Sequence, residues 1–219
     1  MENETPTPEL ELDLDTWLAT GERTTHNVPL YGRMDLIAEI EALEAQIPAD
    51  QRKAPENEGS LGGSEPDEFE DLRVQIRGLE DRIHASKKVF RVTALTQQEI
   101  KETRDEVEKQ FAAEIEKAGA RGREEGKRTA KNLGATVPAD INQMIRIGAT
   151  KAIEELVERE LSIALIAKAT KTLQGGQLIQ LNVSQVRSLY NKLGETQVAM
   201  LSQAAKRANT QIPKVTPGK

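Results

Sequence analysis

RMDLIAEIEALEAQI (residues 33–47) and DEFEDLRVQIRGLEDRIHASKK (residues 67–88) carry apolar residues at alternating three- and four-residue steps. In the first stretch Leu36, Ile40, Leu43 and Ile47 fall on one side of a helix. In the second Phe69, Leu72, Ile76, Leu79 and Ile83 do the same. A stripe this narrow is the a/d seam of a coiled coil rather than the wide apolar face of a core helix. Between the seams, residues 48–66 hold three prolines and three glycines. Such a segment buries too little apolar surface to offset its ordering entropy, so it reads as a flexible linker. Two short seams joined this way are satisfied by folding back on each other as a helical hairpin.

Composition extends that reading to the whole chain. Of 219 residues, 3% are aromatic and 30% charged, so the core must be aliphatic and discontinuous. Ala, Glu, Lys, Leu and Gln dominate, which is the palette of long helices. A sandwich or barrel would need far more alternating Val, Tyr, Phe and Thr. The expected class is therefore all-α: a coiled-coil-like hairpin followed by a helical C-terminal region, with disordered termini and linker. Cysteine is absent, which removes disulfides and thiolate metal sites. The opening residues, MENETPTPELELD, do not resemble a signal peptide. The longest apolar run, Leu161–Ala167, is interrupted by Ser162 and far too short for a bilayer. The expectation is a soluble protein with no membrane partner.

Charge is divided along the chain. Residues 1–70 hold 18 acids and 4 bases, whereas residues 71–219 hold 18 acids and 26 bases. Opposite-signed regions attract within a molecule or between copies, so self-association is one expectation; a solvated surface with an acidic tail explains the same numbers.

Reading on, residues 1–32 are an acidic, largely irregular segment. Within it Leu10, Leu12 and Leu14 alternate with acids before Trp17 and Leu18, a pattern open to a short strand or a capped helical turn. Arg23–Gly32 looks extended, because Pro29 biases Val28 away from helix. Residues 33–118 form the hairpin plus a third helix, which Thr96–Glu99 opens as a capping box and which Ile100, Val107, Phe111 and Ile115 stripe. Val89–Val92 has strand composition but is short. Residues 119–137, rich in Gly, Lys and Arg, are expected to be a hinge, since glycine costs about 1 kcal/mol inside a helix. Residues 138–209 should begin with a long, deeply packed helix reaching about Thr172. After it come a brief extended stretch at Gln177–Val183 and two short helices, capped by Ser184 and Thr196 and separated at Gly194. Residues 210–219 form a frayed tail.

Chemistry is sparse. His26 and His84 are the only histidines, and neither lies near a nucleophile or ligand cluster in sequence. No metal-binding spacing or phosphate-loop pattern is present, so no catalytic residue, cofactor or metal is expected. Lys117–Lys131, KAGARGREEGKRTAK, holds six bases and two acids, a composition able to touch phosphates. It lacks an aromatic for base stacking, which argues against a nucleic acid partner. Protein contact is the better use of such a chain. The broad face around Leu156, Leu161 and Leu165, with basic Lys206 and Arg207 beyond it, is the expected partner surface.

Three stretches carry a family resemblance. Asp13–Ile47 contains Val28-Pro29-Leu30-Tyr31-Gly32-Arg33-Met34-Asp35-Leu36 after an acidic opening; Phe90–Glu99 reads FRVTALTQQE; Val183–Asn209 reads VSQVRSLYNKLGETQVAMLSQAAKRAN. Together they resemble tail assembly chaperones of long-tailed phages that infect actinobacteria. The resemblance implies a non-enzymatic helper in the host cytoplasm. Such a helper coats the tape measure protein and recruits tail tube subunits, leaving before the particle is finished. The GARGREEGKR segment and the 48–66 linker depart from that pattern. Two further readings stay open: a permanent virion structural or scaffolding protein, and a nucleic-acid-binding regulator acting through residues 117–131.

Overall fold

β-Branched and aromatic residues alternating with polar ones build a small sheet that the helical composition conceals. In the computed structural model, residues 15, 18–19, 21–49, 51–52 and 68–210 are described. Strands β1 (Thr25–Tyr31), β2 (Lys87–Thr93), β3 (Thr170–Gln174) and β4 (Gln177–Gln180) form one antiparallel sheet in the order β1-β2-β3-β4. The chain is therefore mostly helical but not all-α. Three of the strands fall where the sequence looks extended. The fourth, β3, replaces the expected tail of a helix. Its Thr170 and Thr172 are buried and alternate with exposed Lys171 and Leu173 at a strand's period of two.

Six helices complete the described fold: α1 (Ile37–Glu44, after a 3-10 turn at Met34–Leu36), α2 (Glu70–Ala85), α3 (Gln97–Gln110), α4 (Ala112–Asn132), α5 (Pro138–Ala169) and α6 (Val183–Thr210). α5 and α6 back one face of the sheet. Val28, Leu30, Phe90 and Val92 from β1 and β2 meet Ile163, Ile166 and Ala167 of α5 and Val186, Val198, Leu201 and Ala204 of α6 in the main core. α6 is two helical segments across a kink at Gly194, whose φ of 77° suits a residue without Cβ. Its N-terminus is capped not by Ser184 but by Asn182, which accepts from the Gln185 amide while Gln185 Oε1 accepts from the Asn182 amide. α3 opens on the Thr96–Glu99 capping box. The expected single third helix is interrupted at Phe111, where the chain turns from α3 into α4.

α1 and α2 pair as a hairpin. Leu36, Ile40 and Leu79 are buried together, with Leu43, Ile76 and Ile83 packed against them. This cluster is separate from the main core, and β1 and β2 join the two. Asp50 and residues 53–67, which hold most of the 48–66 linker, lie outside the described residues, as do residues 1–14, Trp17 and the 211–219 tail.

The glycine-rich stretch is the largest departure from expectation. Residues 119–132 are continuous helix within α4, not a hinge. Ala118, Gly122, Gly126 and Ala130 recur every fourth residue and are buried against α5, whereas Arg121, Arg123, Lys127 and Arg128 stay exposed. A Cβ on Gly122 would stand 2.2 Å from the Gly148 carbonyl oxygen, and one on Gly126 would stand 2.5 Å from that of Met144. The glycines thus let two antiparallel backbones touch, which offsets the helix propensity they forgo. α4 and the N-terminal part of α5 make an arm held by this contact.

Candidate partner-binding surface

Strand alternation sends one set of side chains into the core and the other away from it. On the second face the register places Pro29 beside Val89, and Leu173 beside Leu178, with Val89 and Leu173 adjacent one step beyond the Phe90–Thr172 pair. These four side chains form one apolar row across all four strands. Val89 is 45% exposed, Leu173 60% and Leu178 48%. Solitary exposed leucines are ordinary, but a contiguous row of apolar side chains that no described residue covers marks a contact surface. The next row on the same face contains Asn27, Arg91, Lys171 and Gln180. The four strands carry Lys87, Lys88, Arg91 and Lys171 and not one carboxylate. Glu22 reaches this face from the segment before β1, with its carboxylate 3.7 Å from the Arg91 guanidinium.

The two edges of the sheet differ. At β1 the Tyr31 amide donates to Gln197 Oε1 at 2.8 Å, and Gln197 Nε2 donates to the Tyr31 carbonyl at 2.9 Å. One side-chain amide from α6 thereby stands in for a neighbouring strand. β4 has all four residues exposed, and among the described residues no strand lies beyond it. An unguarded edge of this kind is a template for another extended chain.

The expected partner face is distributed differently. Leu161 is buried and Leu165 half-buried, and both line a groove of about 470 Å³ with Leu95, Ile100, Ile166, Ala205 and Lys206. Leu156 is half-buried, and neither it nor exposed Arg207 lines that groove. Of the hairpin seam, Ile47 is buried, with its carbonyl accepting from Arg52 Nε, while Phe69 and Leu72 are half-buried. The open sheet residues escape a reading of the sequence because β3 follows a long helix without a break, which leaves Leu173 and Leu178 with no evident shared face.

A polar cluster lies between α5 and α6. Glu160 is 5% exposed and is held by Arg187 through a short contact and by Arg159 at 3.4 Å. The Arg187 guanidinium also lies 6.0 Å from the Phe111 ring centre, at cation–π distance. The adjoining cleft of about 560 Å³ adds Tyr190, Asn191 and Glu195. Both Glu160 oxygens are engaged by arginine, so this carboxylate is committed to tying α5 to α6. His84 stands edge-on to Tyr31 at 6.1 Å between ring centres. His26 Nε2 is buried on the inner face without a hydrogen-bond partner among the described residues. Among the described residues no cluster of three or more His, Asp or Glu is placed to hold a metal, and no helix is long and apolar enough to cross a membrane.

No family model, curated protein or solved structure matches this chain.

Proposed function

We propose that this protein is a non-enzymatic tail assembly chaperone that holds apolar segments of the tape measure protein and brings tail tube subunits to them in the host cytoplasm. The observation that carries this reading is the exposed apolar row on the second face of the sheet. The row of Pro29, Val89, Leu173 and Leu178 is flanked by bases and ends on an open strand edge, a surface suited to gripping an extended, apolar and acidic chain. The three stretches resembling phage chaperones support it further. Far apart in sequence, they supply β1, β2 and α6, which pack on one another.

The test is co-expression with the tape measure protein followed by affinity capture. Co-purification is expected, with at least a tenfold loss for Leu173→Ser/Leu178→Ser. Both side chains are exposed, so the double variant should keep its stability to within about 1 kcal/mol. Stoichiometric presence in purified virions would overturn the chaperone reading in favour of a structural component.

A further inference from the structure

We infer that β4 is a self-recognition edge, where two copies of the protein pair antiparallel across a two-fold axis at Ile179 and join their sheets into one. The backbone sets the pairing. Gly175 and Gly176 turn β3 into β4 with φ of 58° and 83°, and the Leu181 amide donates to the Thr170 carbonyl at 3.0 Å. Bonded and non-bonded pairs alternate along an antiparallel ladder. Ile179, like Leu181, therefore directs its backbone groups to β3, whereas Leu178 and Gln180 turn theirs outward. Among the described residues no strand takes them up.

The opposite edge is guarded. β1 carries Pro29, which has no N–H to offer, and Gln197 engages the Tyr31 backbone. β4 reads Gln177-Leu178-Ile179-Gln180, with neither proline nor charge, so the devices that keep strand edges apart are missing. It is also apolar on both faces. Leu178 lies beside Leu173 in the exposed row, and Ile179, 42% exposed, continues the inner face beyond buried Thr172.

A second copy fits this edge in charge and in geometry. With Ile179 opposite itself, Leu178 stands opposite Gln180 of the second copy, and their outward groups form four hydrogen bonds. The two Ile179 side chains then meet directly on the inner face, and the two Leu178 side chains meet diagonally on the other. Like charges stay apart. Lys171 on the adjoining strand lies three strand spacings from its counterpart, with an offset of two residues, roughly 16 Å in all. That is about twice the Debye length at physiological salt. The paired stretch, Gln177–Leu181, is far shorter than the roughly 20–30 residues a side of a standard interface, so the dimer is weak and reversible. It needs no client, and it stands or falls apart from the function proposed above.

Three measurements on the full chain test it. Sedimentation from about 5 μM to about 500 μM should show the mass rising from monomer towards dimer. Ile179→Lys, which sets two ammonium groups face to face, should stay monomeric throughout, whereas Leu173→Lys, one strand back from the edge, should not. The natural sequence has no cysteine, and non-bonded pairs hold their Cα atoms about 4.5 Å apart, within disulfide reach. Ile179→Cys should therefore close a disulfide between molecules at least about tenfold faster than Leu133→Cys on the arm. The Leu178 and Gln180 amides should exchange more slowly as concentration rises. A monomer at every concentration, a dimer that survives Ile179→Lys, or equal closure of the two cysteine variants would overturn the inference. Protection of those two amides that ignores concentration would also overturn it, by making another part of the chain the occupant.

Discussion

Two glycines in helices make opposite demands on the same substitution. Gly122 faces the α5 backbone, so Gly122→Ala drives a methyl into the Gly148 carbonyl and must separate the helices. A destabilisation of about 3 kcal/mol or more is expected in denaturant titrations, at or above the usual range for overpacking. At Gly78 in α2, an added methyl would meet no atom within 4 Å. Gly78→Ala should therefore stabilise by about 0.5–1 kcal/mol, the ordinary helix-propensity gain. Glu99 offers a test by pH. The Thr96 backbone amide and then the Arg23 guanidinium donate to its carboxylate and hold its pKa down to about 2. A carboxylate depressed on folding stabilises fully above its unfolded pKa near 4.3 and loses that contribution as pH falls towards 2. Glu99→Gln should flatten the fall in melting temperature between about pH 4.5 and pH 2.

At the scale of elements, the α1–α2 hairpin stands on a small cluster of its own. Leu79→Ala should cost about 2–3 kcal/mol there and show as faster hydrogen exchange across Glu70–Ala85, with the α5 amides unaffected. That hairpin was legible in the sequence, because a three-and-four spacing states a helix period without reference to the rest of the fold. The capping box at Thr96 and the stop at Gly194 were legible for the same local reason. The sheet was not. Val89–Val92 and Gln177–Gln180 each showed strand composition, but nothing within either segment names its partner, and β3 sat behind 32 residues of strong helix. Glycines 119, 122 and 126 misled because their propensity argues for a break. The four-residue recurrence of Gly122 and Gly126 with Ala118 and Ala130 was the signal that a neighbouring backbone would meet them.

Across the whole molecule, the proposed surface combines residues from four strands that span the sequence from Pro29 to Leu178, and no local motif encodes it. The stretches Asp13–Ile47, Phe90–Glu99 and Val183–Asn209 hold β1, part of β2 and α6 but neither of the two strands that complete the apolar row. α5 passes into β3 without a loop: Thr170 donates its amide to the Ile166 carbonyl as the last helical bond, then turns extended at φ −109° and ψ 130°. The helix is 32 residues long, so about 48 Å of rigid rod separates the arm's tip from the sheet. Any load applied near Pro138 is delivered as torque to the strand bearing Leu173, and the arm is thus a tiller by which a distant grip can steer the sheet.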